Sequence, residues 1–210
     1  MNEIKLYRMI HIENIPHILQ YGITHKNSSH ANPNFKTIGD TSLIDFRATK
    51  SVEVNGETIT LGDFIPFYFG IRMPMLYVIQ HGGNYVPKPV KPENIIYIAI
   101  SLQSVINKPD MVYFFTDGHA TDSLTTFYDK TSVEKLPSCI DWVAVKAKYW
   151  SGDDIETDLK RRKQAEFLIK GDIPIDFIVG YVCYNIHSMN RLIEMGIDEN
   201  IIKIYPNAYY

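Results

Sequence analysis

The chain has 210 residues, 45% hydrophobic and 12% aromatic, with a net charge of −3 and a pI of about 6.2. That is enough apolar material for a sizeable core in one domain or at most two. The charge balance excludes a wholesale basic nucleic-acid binder and leaves room for a local basic patch.

Two cysteines, Cys139 and Cys183, lie far apart and in no metal-ligand spacing. Their scarcity implies a reducing compartment and no zinc site. The first residues, Met1-Asn2-Glu3-Ile4-Lys5-Leu6, lack the apolar core of a signal peptide. No apolar run approaches the roughly 20 residues that span a bilayer. A cytoplasmic protein with no membrane partner is expected.

Residues 4–11 are rich in β-formers and predict a first strand. Within it Arg8 and Ile10 face one side while Tyr7, Met9 and His11 face the other. Glu13 to Tyr21 predicts a short helix with Ile15, Ile18 and Leu19 on one face, closed by Gly22. Residues 24–42 are polar and predict a long loop, the kind of segment that carries function. Ile65–Phe69 predicts a strand that tolerates Pro66 at an edge or start. Pro74–Gln80 predicts a helix with proline in its first turn, broken by Gly82-Gly83-Asn84.

Asn94–Ser101 predicts a buried strand, Ser101–Ile106 a short helix and Val112–Thr116 another strand. Thr121–Tyr128 and Ile140–Tyr149 predict helices. Phe167–Lys170 and Phe177–Cys183 predict strands, Met189–Glu194 a helix, and Ile201–Tyr205 a last strand. There is no Gly-x-Gly-x-x-Gly, Walker or Gly-x-Ser-x-Gly motif, so neither a Rossmann, a P-loop nor an α/β-hydrolase reading is indicated. The pattern fits an α+β fold with a mostly antiparallel, split sheet and short helices.

Chemistry-bearing residues cluster in a few places. Lys160-Arg161-Arg162-Lys163-Gln164-Ala165-Glu166 sets one carboxylate behind four consecutive cations and ahead of the apolar run Phe167-Leu168-Ile169. A carboxylate partly fenced from water beside a phosphate-holding face suits chemistry on a phosphate-rich substrate. Equally, the run suits a solvated helix end feeding a core strand. Arg47 follows the long loop. Arg72 to Tyr77 offers a cation, two thioethers and an aromatic near a helix N-terminus, and core packing is the competing reading. Thr116-Asp117-Gly118-His119 is a turn with a histidine behind it. Tyr149-Trp150 at a loop edge suits base stacking as well as packing. His25 and His30 have no metal-binding context.

Several of these segments, taken together and in order, resemble the DarT family of DNA ADP-ribosyltransferase toxins. They are Leu6–Ile15, Asp63–Phe69, Pro74–Tyr77, Phe115–His119, Asp141-Trp142, Tyr149-Trp150, Arg162–Leu168 and Tyr209-Tyr210. The resemblance implies a split antiparallel sheet gripping NAD in a central cleft. It implies transfer of ADP-ribose from NAD, without a metal, onto thymine or guanine of single-stranded DNA, and a macrodomain (DarG-like) or other ADP-ribosyl-glycohydrolase antitoxin as partner. One domain over 1–210 follows. Carried onto this sequence, Glu166 and Arg47 take the catalytic places. Arg8, Met9, Ile10, His17 and Arg47 take NAD-binding places, and Arg72, Met75, Tyr77, Tyr149, Trp150 and Lys160 face DNA. His119 and Tyr68 support the active site. The chain departs from the family at Arg8, where relatives often carry His.

Overall fold

The computed structural model describes residues 4–83, Val86 and residues 88–210. An eight-stranded sheet runs in the order β10-β9-β5-β1-β4-β8-β6-β7. Its strands are β1 (Lys5–His11), β4 (Phe64–Tyr68), β5 (Ile95–Ser101), β6 (Tyr113–Thr116), β7 (Phe127–Tyr128), β8 (Glu166–Lys170), β9 (Ile178–Cys183) and β10 (Ile202–Ile204). A separate hairpin pairs β2 (Ser51–Val54) with β3 (Glu57–Thr60). The helices are α1 (Ile15–Tyr21), α2 (Thr41–Thr49), α3 (Pro74–His81), α4 (Leu102–Ile106), α5 (Leu136–Cys139), α6 (Trp142–Lys146), α7 (Leu159–Lys163) and α8 (Ile186–Glu194).

β5 has every residue buried, as its unbroken apolar run requires of a strand covered on both faces. It pairs antiparallel with β1 along the whole of Lys5 to His11 and, through a bulge at Ala99/Ile100, with β9. Only β10 joins in parallel, on β9. On the other side of the sheet β4, β8, β6 and β7 pair antiparallel in turn.

The two halves share a core but barely pair along the sheet. The ladder between β1 and β4 is reduced to Tyr7 opposite Tyr68, and beyond it the strands diverge. This is the expected split. Pro66 suits it chemically. A strand residue's N–H and C=O point to the same side, and the Pro66 carbonyl accepts Arg8 Nη1 at 2.8 Å across the gap. Proline therefore leaves no orphan N–H where the ladder opens.

The sequence-predicted strands are found within a residue or two of their expected ends, and α1, α3, α4 and α8 lie where helices are expected. Gly82 closes α3 with φ 75°, whereas Asn84 of the expected break lies outside the described residues. Two expectations fail. Thr121–Tyr128 is not a helix: Asp122 Oδ1 takes the Leu124 N–H and Asp117 Oδ1 takes the Thr126 N–H, so side chains fold the segment into turns ahead of β7. Ile140–Tyr149 contains only the five residues of α6, started by Asp141 capping Val143 and Ala144 and ended at Ala147.

Two elements were not anticipated. The expected loop over 24–42 ends in α2, started by Asp40 accepting the Leu43 N–H. α2 buries no residue, so it has no apolar stripe to read. The β2–β3 hairpin turns on Asn55-Gly56 with φ 51° and 84°, the sign pair a tight type I′ turn needs.

Gly22, next to the cleft-lining Ile23, is a backbone position where a side chain has no place. Its φ of 75° and ψ of −165° lie in a glycine region, and a Cβ there would sit 2.2 Å from the Ile173 carbonyl oxygen. That carbonyl accepts the Ile23 N–H at 2.9 Å, tying α1 to the segment after β8. Gly22→Ala is expected to cost about 3 kcal/mol, read as a fall in the urea midpoint. An unchanged midpoint would contradict this account of the junction.

Candidate active site

Glu166 opens β8 directly opposite Tyr68 of β4, at the rim of the split. Its side chain is 0% exposed. Arg47 reaches it from α2 as a two-pronged pair, Nη1 to Oε1 at 3.1 Å and Nη2 to Oε2 at 2.9 Å. The Ala120 N–H donates to Oε1 at 2.9 Å, and His119 Nε2 stands 3.9 Å from the same oxygen. The strand start is fixed as well, since the Glu166 N–H donates to Thr116 Oγ1 at 3.0 Å.

Burial alone would raise the Glu166 pKa, but the charges of Arg47 and His119 and the donated hydrogen bonds outweigh it and hold the carboxyl below its ordinary value. Burial would likewise lower Arg47, and the Glu166 charge overcomes it and raises the guanidinium. His119 is pushed below its ordinary value, by burial first. Tyr68 is pushed well above its own, by burial and the adjacent carboxylate, and stays a neutral phenol. Arg8 is lowered to about 10, by burial and by the Arg47 charge, so it remains a cation at neutral pH. Its Nε is buried and finds no hydrogen-bond partner among the described residues. The site thus holds two guanidiniums against one carboxylate.

Two adjoining cavities open here, and Arg8, Ile10, Phe35, Thr37, Ile44 and Arg47 line both. The larger, of about 400 Å³, runs past Asn14, His17 and His25 toward the hairpin. The other reaches Met9, Tyr68, Met75, Ile79 and His119. Every expected NAD-binding residue therefore lies on this cleft, as do Tyr68 and His119. An unpartnered buried Arg8 donor beside Arg47 suits a dinucleotide with a diphosphate, and the cleft has a drug-sized ligand's dimensions. Among the described residues no group of three or more His, Cys, Asp or Glu is placed to hold a metal ion.

The residues expected to face DNA divide. Met75 and Ile79 lie one helical turn apart and turn to the cleft. Tyr77, on another face of α3, stacks with His81 at 4.3 Å and meets Trp150 and Tyr210 edge-on. Tyr149 is 65% exposed, and Lys160 Nζ lies 5.3 Å from the Trp150 ring. Arg72 is engaged inside the protein. Its backbone has φ 58°, its N–H donates to Tyr97 Oη at 2.9 Å, and its guanidinium donates to the Tyr209 carbonyl and covers the Tyr210 ring at 4.0 Å. The Tyr210 hydroxyl donates back to the Arg72 carbonyl at 3.0 Å and accepts from Trp150 Nε1.

The basic run is corrected most. It is not a phosphate-holding face. Lys163 is 1% exposed, donates to the Val145 and Ala147 carbonyls, and burial lowers it to about 8. Arg162 pairs with Asp141, Glu156 and Asp158, and Arg161 with Asp117 and Asp158. Lys160 alone of the four carries no ion pair and no hydrogen bond from its ammonium among the described residues. Sequence reading missed Ala120 and Thr116 as partners of Glu166, because backbone and hydroxyl contacts leave no mark on spacing.

A split, mostly antiparallel sheet with a buried glutamate beside a phosphate-suited cleft is the arrangement that the ADP-ribosyltransferase resemblance implies. The chain belongs to the family described as DarT: ssDNA thymidine ADP-ribosyltransferase, whose model matches residues 7–210. A protein of Escherichia coli O127:H6 named DNA ADP-ribosyl transferase is 35% identical over 86% of this chain and 80% of its own. Thermus sp. 2.9 DarT superposes with a TM-score of 0.84 in complex with ADP-ribosylated ssDNA, at 26% identity over 100% and 98% of the two chains. Its complex with NAD+ gives 0.79 at 27% identity over 100% and 99%. A Thermosipho africanus DNA ADP-ribosyl transferase-DNA ADP-ribosyl glycohydrolase fusion protein is 27% identical over 98% of this chain, which spans 49% of that fusion.

The pKa directions give a test. Glu166 sits below its unfolded value, so its pairing stabilises the fold above the ordinary carboxylate range, near pH 4, and the benefit is lost as pH falls through the depressed value. Arg47→Ala leaves a buried carboxylate without its cation and is expected to cost about 3–5 kcal/mol at pH 7. In that variant the Glu166 pKa moves above its unfolded value, so the deficit against wild type shrinks on acidification. Adding Glu166→Gln is expected to recover part of the loss at pH 7. Urea midpoints across pH 4–8 check it, and a pH-independent deficit would refute it.

Proposed function

We propose that this chain is the toxin of a toxin–antitoxin pair, transferring ADP-ribose from NAD onto a base of single-stranded DNA with release of nicotinamide. The observation that carries this reading is Glu166, ionised, buried at the split and held beside two guanidiniums. Residues 1–210 act as one transferase domain in the cytoplasm, where NAD and the cell's DNA meet. The partner is an ADP-ribosyl glycohydrolase of the macrodomain (DarG-like) kind, a pairing supported by the relative that carries both activities in one chain. Thymine is the first choice of acceptor, following the family description, with guanine the alternative.

The chemistry follows from charge. Breaking the bond between nicotinamide and the ribose C1′ releases neutral nicotinamide and leaves an oxocarbenium-like sugar. A fixed carboxylate stabilises that developing positive charge and accepts a hydrogen bond from a ribose hydroxyl. Glu166 Oε2 takes one hydrogen bond, from Arg47, and so retains lone-pair capacity for that hydroxyl. Arg47 lines the cleft while paired with Glu166, and from there its guanidinium orients the diphosphate and polarises the base. A guanidinium does not give up its proton in water, so it stabilises the deprotonated base instead of accepting the base's proton, which passes to solvent. The base nitrogen then attacks C1′.

Single-stranded DNA presents its bases without the few kcal/mol, roughly, of unstacking that a duplex demands. Exposed Tyr149, together with Trp150 and Tyr77, offers stacking faces, Met75 reaches the cleft, and Lys160 meets phosphate. Arg72 contributes by holding the Tyr77–Trp150–Tyr210 cluster.

Incubation with labelled NAD and homopolymer oligonucleotides tests the reading. Wild type is expected to label one of them, and Glu166→Ala to lose roughly 10²–10³-fold in rate. Undiminished labelling by Glu166→Ala would remove the glutamate from the mechanism. NAD cleavage without labelled DNA would move the acceptor to RNA or protein. In a salt titration of DNA binding, Lys160→Ala is expected to flatten the slope by about 0.7, one phosphate contact on a single strand. An unchanged slope would take Lys160 off the DNA.

A further inference from the structure

Gly118 and Arg161 approach each other more closely than a side chain at 118 would allow. A Cβ built on Gly118 would lie 2.4 Å from Arg161 Nη1, 2.9 Å from Arg161 Cγ and 3.0 Å from Thr125 Oγ1. Gly118 is not among the positive-φ glycines, so what the position demands is space. Arg161 uses that space fully. Its Nε and Nη2 donate to the two Asp158 oxygens at 2.7 and 2.9 Å, and Nη1 donates to Asp117 Oδ1 at 2.9 Å. The backbone carbonyl of Arg161 accepts the His119 N–H at 3.0 Å. Asp117 Oδ1 also accepts the Thr126 N–H at 2.9 Å, so one guanidinium gathers both ends of the 117–126 turn.

That turn carries two of the groups that face Glu166, the Ala120 amide and the His119 ring. Thr116 closes the connection, donating to the Gly118 carbonyl at 2.6 Å while accepting the Glu166 N–H. We propose that Arg161, seated on Gly118, is a positioning residue for ADP-ribose transfer, fixing the Ala120 amide and His119 against the Glu166 carboxylate. The inference rests on the reading that Glu166 carries the reaction. Arg161 has an arginine's usual appeal as a phosphate ligand, but each of its guanidinium nitrogens already donates within the protein, and its side chain is 12% exposed.

The test is the steady-state kinetics of Arg161→Ala, Gly118→Ala and the double variant, with Asp117→Asn as a milder loosening of the same anchor. Each single alanine variant is expected to lower kcat roughly ten- to a hundred-fold, with KM for NAD and for DNA within about three-fold of wild type. The double variant is expected to be no worse than Arg161→Ala, because truncating the guanidinium clears most of the space the new methyl needs. Asp117→Asn loses a few-fold and guards against a variant that does not fold.

A pH profile separates positioning from a general structural role. Arg47 from α2, Arg8 from β1, Tyr68 from β4 and His119 from the turn all face Glu166. Releasing the turn removes the Ala120 donor and disturbs His119, so the acid limb of kcat is expected to move to higher pH in Arg161→Ala. Wild-type kcat in folded Arg161→Ala would overturn the inference. So would additive losses in the double variant, or a raised KM for DNA with unchanged kcat, which would make Arg161 a phosphate ligand. Glu166→Ala run in parallel distinguishes the two failures. If it stays active, the catalytic reading fails. If it is inactive while Arg161→Ala is unimpaired, only the positioning inference fails.

Discussion

The buried pair between Glu166 and Arg47 is the interaction on which the rest of the site depends. A carboxylate with no exposed surface cannot stay ionised on its own, because the low-dielectric interior penalises the charge by several kcal/mol, roughly. The two-pronged guanidinium and the Ala120 amide offset that penalty. The same arrangement ties α2, which buries no residue, to the sheet through Arg47. It also explains why the glutamate begins a strand. β8 is paired on both sides, to β4 and β6, so its first residue is held rigidly where the sheet splits.

Much of this frame was legible in the chain. Runs such as Ile95–Ser101 and Phe167–Ile169 have no other physical use than as covered strands, and they are buried throughout. The hidden parts are those stabilised by contacts distant in sequence or by side-chain caps. α2 lacks periodicity because its inward contact is an ion pair reaching 119 residues along the chain. The turns over 119–126 are set by Asp117 and Asp122, whose effect outweighs the apolar spacing that suggested a helix. The basic run at 160–163 is only partly hidden in this way. Arg161 and Arg162 are neutralised by Asp117 and Asp141, distant in sequence, and by Glu156 and Asp158 just ahead of the run, while Lys163 is buried on two carbonyls.

The aromatic residues repeat this division between frame and face. Tyr97 and Tyr209 are buried, and the Tyr209 hydroxyl reaches the Ile95 and Val182 carbonyls at 2.9 and 3.0 Å, joining β5 and β9. Tyr97 accepts the Arg72 N–H and so supports a left-handed backbone that an arginine adopts only at a cost of about 1 kcal/mol. The adjoining Tyr210 leads from this buried layer to the outer cluster of Trp150 and Tyr77. A base-stacking surface is useful only if its rings are already held in place, since ordering loose side chains on binding subtracts from affinity. Here a hydrogen bond to Tyr210 holds Trp150, and ring contacts hold Tyr77 on α3, before any ligand arrives.

Charge then determines how DNA and NAD divide the molecule. The chain as a whole is at −3, and Arg161, Arg162 and Lys163 are spent on internal partners. The cations that face substrates are Arg8 and Arg47 in the cleft, Arg47 shared with Glu166, the lining lysines Lys26 and Lys36, and lysines such as Lys148 and Lys160 beside the exposed aromatics. The interior pair works in a low dielectric, where each charge counts for more and salt screens it little, which suits the diphosphate of a small substrate. The outer lysines are exposed and screened by salt. On the proposed reading DNA is retained largely by stacking on Tyr149, Trp150 and Tyr77, a contact open to an unpaired base and closed to one stacked in a duplex. On that reading selection of single strands follows from the stacking contact, which a base already stacked in a duplex cannot make.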